Sequence, residues 1–358
     1  MKNIKFLKLI LMIGLLLVLT ACSKETGKTI SVVDDEGNGA GEMDITVVKI
    51  DRYDNVAMTD WLNKNTLIVS KENTSLDKMS LLELSDSHPR SLYLYNINNR
   101  EYQLLKEANN VHLGGATLSP DKKNLLYYEY TLGDPAYYVM NMDTLDTFGI
   151  RGTNIAGAMS AKWGDNESVV GAAYSGGAYL ANLTGEITVV DEIKEESLFI
   201  VEKINNNFYY NTNSDETLWR LDMSTKEKVS LDLSHVYGVL PSPDGNQMLV
   251  LQNIGAKKIL TLSDNGGEIK KIIAEGAELG GVSWSPDQRM ITYNLKDDVN
   301  NKIVEGFYIY DMLTGKATQI VEDIQYMSIS WSPSGEELVY TEWDGTKYNS
   351  SIVYLEIR

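Results

Sequence analysis

The sequence predicts an all-β fold, a seven-bladed β-propeller of four-stranded blades, closed by an N-terminal strand in the last blade. Three observations carry this expectation. A strand ending in an apolar or aromatic residue, then Ser-Pro-Asp or a near variant, recurs with an apolar strand behind it. A second phrase, an apolar strand ending at Asn or Asp before a short turn, keeps the same beat. The last unit is one strand short, and an unassigned strand stands ahead of the first.

Taken in order, the chain opens with Lys2, Lys5 and Lys8, an apolar run from Leu9 to Leu19 broken only by Gly14, and then Thr20, Ala21 and Cys22. That run is short for crossing a bilayer and polar residues follow at once, so residues 1–21 read as a cleaved targeting segment. Leu19-Thr20-Ala21-Cys22 resembles the bacterial lipobox. The resemblance implies a lipidated Cys22 and a chain held at the extracytoplasmic face of a bacterial cell membrane. Cys22 is also the sole cysteine, so the fold must be held by its core without disulfides. Residues 22–42 read as lipidated cysteine and flexible tether, with a root-mean-square reach of roughly 25 Å for about 20 residues. Within it, Asp34 to Gly39 lacks the alternating ligands and closing glutamate of a calcium loop.

Loss of residues 1–21 leaves 29 basic and 50 acidic residues, a formal charge of −21. Such a body lacks the basic stripe that phosphate contact requires, which excludes non-specific nucleic-acid binding. Anionic headgroups would repel it, so the lipid rather than surface charge is the expected hold on the membrane.

Residues 43–358 hold the repeats. The full phrase stands at Ala116–Asp121, Val239–Gly245, Val282–Asp287 and Ile329–Gly335. Eroded copies stand at Trp61–Asn65, Trp163–Asn166 and Ile204–Asn207. Proline presets φ, aspartate bonds the turn backbone, and glycine supplies positive φ. The seven anchors are separated by 57, 45, 41, 37, 43 and 47 residues. The second phrase falls between them at Leu92–Asn96, Tyr138–Asn141, Tyr179–Asn182, Leu218–Asp222, Ile259–Leu262 and Phe307–Asp311, with hairpin turns such as Thr184-Gly185. Four strands per period is the signature of a propeller blade. After the last anchor only Leu338–Trp343 and Ile352–Ile357 remain, and Ile45–Ile50 is free to complete that blade. The Ser-Pro-Asp-Gly phrase after an aromatic residue resembles the WD40-like Pro-Asp repeat of TolB-like propellers. That family includes protein-binding scaffolds, propeller caps of peptidases and some polysaccharide lyases, so the resemblance specifies fold far better than function.

The Pro-Asp turns should share one face, and the loops entering the inner strands the other. Two stretches on that loop face are long, Lys71–Arg90 and Lys296–Glu305; leucines between Leu76 and Leu84 fit a short amphipathic helix, leaving both a lid and a plain insertion open. Candidate binding residues there are Tyr53, His112, His235, Tyr237, Tyr326 and Trp343, since exposed Tyr and Trp are common anchors. Trp61, Trp163, Trp284 and Trp331 sit at the anchors and are expected in the core. Catalytic signals are thin: His88, His112 and His235 lie in separate blades, and neither a nucleophile elbow nor a phosphate loop occurs. No catalytic residue, metal or cofactor is therefore assigned. The expectation is a monomeric, membrane-anchored, non-catalytic propeller that binds an envelope protein, a peptide or a wall glycan. The alternative is a lyase or hydrolase of a polysaccharide or wall polymer, with its site at the channel mouth.

Overall fold

The structure is a computed structural model, and it describes residues 45–299, 302–324 and 327–358. The expectations for residues 1–44, including Cys22, and for Tyr326 fall outside the described residues. Seven antiparallel sheets of four strands each follow one another around a ring. Their inner strands are Val56–Asn63, His112–Leu118, Lys162–Trp163, Leu198–Ile204, Val236–Pro241, Glu278–Trp284 and Met327–Trp331, for blades 1 to 7 in order. Ile45–Tyr53 is the outermost strand of blade 7, paired with Tyr348–Ile357 in a register that sets Ile45 opposite Ile357. The ring closes as the sequence predicts.

Second strands are buried on both faces, because each blade is sandwiched between two others. That is why Thr66–Glu72, Asn124–Tyr130 and Ser168–Ala172 read as unbroken apolar runs rather than alternating ones. The core is a series of layers between blades. Met58, Trp61, Val69, Val339 and Ile352 pack blade 7 on blade 1, for example, and Val170, Ile193, Phe208 and Leu221 pack blade 3 on blade 4. Anchor tryptophans also bond these layers. Trp61 Nε1 donates to Ser330 O at 3.1 Å and Trp163 Nε1 to Thr117 O at 3.0 Å, in each case the inner strand of the preceding blade.

The Ser-Pro-Asp phrase has a hydrogen-bond meaning. Ser119 Oγ donates to Asp121 Oδ1 at 2.7 Å and accepts from the Asn124 N–H at 3.0 Å. The same pair of bonds recurs at Ser242 and at Ser285. In blade 7, where Ser334 replaces the aspartate, Glu337 Oε2 accepts from Ser332 Oγ instead.

Two expectations are corrected. Lys296–Glu305 is not a loop: Met290–Val299 and Lys302–Asp311 run on as one long hairpin. Lys296 lies opposite Glu305, with charged groups 3.7 Å apart, and β-branched Val299, Ile303 and Val304 carry the ladder outward. The leucine-rich insertion of blade 1 forms no amphipathic helix either. It contains one turn of 3-10 helix at Leu82–Leu84, because only Met79 of its long apolar residues is buried and Asn73 Oδ1 draws the Ser75 N–H into a local turn.

Candidate functional site

The loop face is built from the starts of inner and third strands and the ends of second and outer strands. Arg90 begins the third strand of blade 1 and is 7% exposed. Its Nε donates to Ser70 Oγ (3.2 Å), Nη1 to Asn55 Oδ1 (3.0 Å), and Nη2 to Ser70 O (2.6 Å) and Asn55 O (3.4 Å). Asn55 also donates to Glu72 Oε2 at 3.3 Å, so its amide stands between guanidinium and carboxylate. Among the described residues no carboxylate lies within ion-pair distance of Arg90.

Aromatic groups from the flanking blades surround this centre. The Tyr348 ring of blade 7 lies 5.5 Å from the guanidinium, and Trp343 lies 4.7 Å from Tyr348. On the blade 2 side, His112 Nδ1 accepts from the Arg90 N–H at 3.2 Å, and its ring is 5.2 Å from Tyr130. Tyr130 meets Tyr128 edge-on at 5.5 Å. Burial, then the neighbouring guanidinium, push the His112 imidazole below its ordinary pKa, so it stays neutral with its Nε2 protonated. Burial lowers the Arg90 pKa from a very high starting value, leaving it charged. Burial raises the Tyr130 phenol against the opposing effect of Arg90, and raises Tyr128 to about 12. Gly115 is required here by both strain and space: its φ is +56°, and an added Cβ would fall 1.8 Å from the Tyr128 ring.

The six sequence candidates do not form one site. His112 and Trp343 lie at the two ends of the arc that runs through Arg90 and Tyr348. Tyr53 is half-buried in the layer between blades 7 and 1, where its hydroxyl pairs with Tyr95 at 3.2 Å. Tyr237 donates to Leu279 O at 3.0 Å in the next blade, a packing role. His235 is exposed on the other side of the ring, with Nδ1 3.2 Å from Glu216. Tyr326 is outside the described residues. Sequence reasoning missed Arg90, Tyr130 and Tyr348, because an arginine beginning a strand reads as a solvated end and its acceptors are distant in sequence. Nor is the turn face bare: a cleft of about 760 Å³ opens there between blades 2 and 3, with Asp121, Asn141, Asp146 and Phe148 among its walls.

No protein-family model and no curated protein matches the chain. Solved structures do. An oligogalacturonate lyase in complex with manganese superposes at a TM-score of 0.64, with 12% identity over 87% of this chain and 98% of that one. An oligogalacturonate lyase from Vibrio parahaemolyticus gives 0.63 and 10% over the same shares. The propeller domain of Myceliophteria thermophila Swd1 gives 0.56 and 11%, over 87% of this chain and all of that one. Among the described residues no three His, Cys, Asp or Glu side chains gather to hold a metal ion. These residues therefore do not fit a manganese centre, and no step is routed through one. The expectation of a non-catalytic binding propeller is corrected: two structures sharing the fold over nearly their whole length are enzymes. At these identities the likeness establishes the fold alone, and that fold is the seven-bladed β-propeller.

Proposed function

We propose that the chain handles a carboxylate-bearing sugar at the loop-face mouth of blades 7, 1 and 2. The observation that carries this is Arg90, a guanidinium 7% exposed without a carboxylate partner among the described residues, in a protein of formal charge −18. Buried charges are ordinarily paired; Glu72 acts on Arg90 only from beyond the intervening Asn55, and an anionic ligand would be its direct partner. The hydrogen bonds to Asn55 and Ser70 employ four donors of the five a guanidinium has, which leaves one on Nη1. Trp343 and Tyr348 offer ring faces to a sugar, and the protonated Tyr130 and His112 offer donors to its oxygens. Arg90 would meet the sugar's carboxylate through that remaining donor, between the aromatic faces and the phenol and imidazole donors. Oligogalacturonate lyases on the same fold are consistent with this ligand class and lend it no residue.

Calorimetric titration with short oligogalacturonates tests the reading. Trp343→Ala and Tyr348→Ala should each weaken binding roughly tenfold. Glu336→Gln, on the turn face, should leave it unchanged. No saturable binding to the parent, or equal binding by all variants, would sink the proposal.

The N-terminal residues support a separate proposal, that Cys22 carries a lipid and holds the chain outside the cytoplasm. Cys22→Ser should abolish labelling by a fatty-acid probe and leave the precursor uncleaved. Undiminished labelling would rule the anchor out.

A further inference from the structure

A second cavity, of about 300 Å³, opens on the loop face where blade 3 meets blade 4. Tyr210 and Trp219 are directly opposed across two strands of blade 4 on the surface facing blade 3, Tyr210 buried and Trp219 partly exposed. Lys228, on the outer strand, brings its ammonium to 5.7 Å from the Tyr210 ring centroid and 3.1 Å from Glu195 Oε1. Glu195 belongs to the crossover between the blades, and that pair neutralises itself. Asp215 is different. Its Oδ1 accepts the Thr217 N–H at 3.0 Å and its Oδ2 the Trp219 Nε1–H at 3.4 Å, and no cation reaches it among the described residues. Those bonds hold its carboxyl below the usual carboxylate range, so it is ionised throughout ordinary pH.

The walls select among ligands. Beyond the Lys228–Glu195 pair the lining carries one uncompensated negative charge, which disfavours anions. A single free carboxylate among aromatic rings cannot supply the several oxygen ligands of a hard metal ion. A partly exposed indole beside an unpaired carboxylate does suit an organic cation, since the ring quadrupole and the carboxylate attract the same charge. Lys228 makes that contact with Tyr210 from within the chain, which leaves the indole as the face for a ligand. The volume is that of a small-molecule site. We propose that this cavity binds a small alkylammonium ion against the Trp219 indole, with Asp215 as its counter-ion. This site is separate from the Arg90 centre and takes the opposite charge.

The test compares choline with its neutral isostere 3,3-dimethylbutan-1-ol by calorimetry on the folded protein. Choline should bind saturably and the alcohol at least roughly tenfold more weakly. Asp215→Asn should weaken choline binding by about tenfold, and Trp219→Leu should remove it. Trp219→Phe, which keeps a ring face and the packing, should retain it in weakened form, and thermal melts establish that each variant is folded. Absence of saturable choline binding to the parent would overturn the proposal. So would equal binding of the two ligands, or unchanged choline affinity in both Asp215→Asn and Trp219→Leu.

Discussion

At the scale of single residues, His112 makes the sharpest prediction because it is held neutral by its surroundings. Its folded pKa lies below the ordinary histidine value, first through burial and then through Arg90. The unfolded chain therefore takes up this proton first as pH falls. The histidine's contribution to stability is complete above the unfolded pKa and is lost as pH drops toward the depressed folded value. His112→Gln should flatten the melting temperature between about pH 7 and pH 5, with the slope of the parent rising toward neutrality. Parallel profiles for parent and variant would show that the imidazole stays uncharged for no energetic reason. His112 was legible in the sequence because it heads an inner strand. Arg90 was not, since Asn55 and Ser70 reach it through the curvature of the ring rather than through any local pattern.

Among elements, the Ser-Pro-Asp turn was legible for the opposite reason: its chemistry is complete within six residues. Ser285 is fully buried and accepts the Met290 N–H at 2.8 Å, while Asp287 sits at the turn surface and accepts from the Ser285 hydroxyl. Ser285→Ala leaves a buried donor unsatisfied and should cost about 1–3 kcal/mol. Asp287→Ala leaves Ser285 in place to accept the Met290 N–H, and should cost only about 1 kcal/mol. Urea unfolding ranks the two, and a larger loss for Asp287→Ala would reverse the account of the motif. The long hairpin of blade 6 was illegible because its outer half, with Lys296, Asp297 and Asp298 on one side, has the composition of a loop. Cross-strand pairing rather than propensity makes it a strand. The blade 1 insertion erred in the other direction. Its leucines have helical spacing, but Leu82 is 84% exposed and there is nothing for an apolar stripe to cover.

The whole ring depends on the seam in blade 7. Ile45 and Leu355 are buried there with Trp331, Leu338 and Val353, and Thr341 Oγ1 donates to Met58 O of blade 1 at 2.7 Å. Removing residues 45–53 would strip blade 7 of its outer strand and expose the edge of Tyr348–Ile357. The shortened protein should unfold at lower urea with a shallower transition, and a curve matching the parent would mean that the strand is dispensable. Blade number and closure were readable from two phrases sharing a period, which no single strand could have indicated. The seam also imposes an order of events. Asn55 and Asn349, bonded across it, lie 294 positions apart in the chain. A polypeptide delivered N-terminus first therefore carries its closing strand as a bare ribbon while every other blade is synthesised. Pairing over such a separation is intrinsically slow. Maturation of this molecule is thus timed by the arrival of its last segment, however firmly the earlier blades have already stacked.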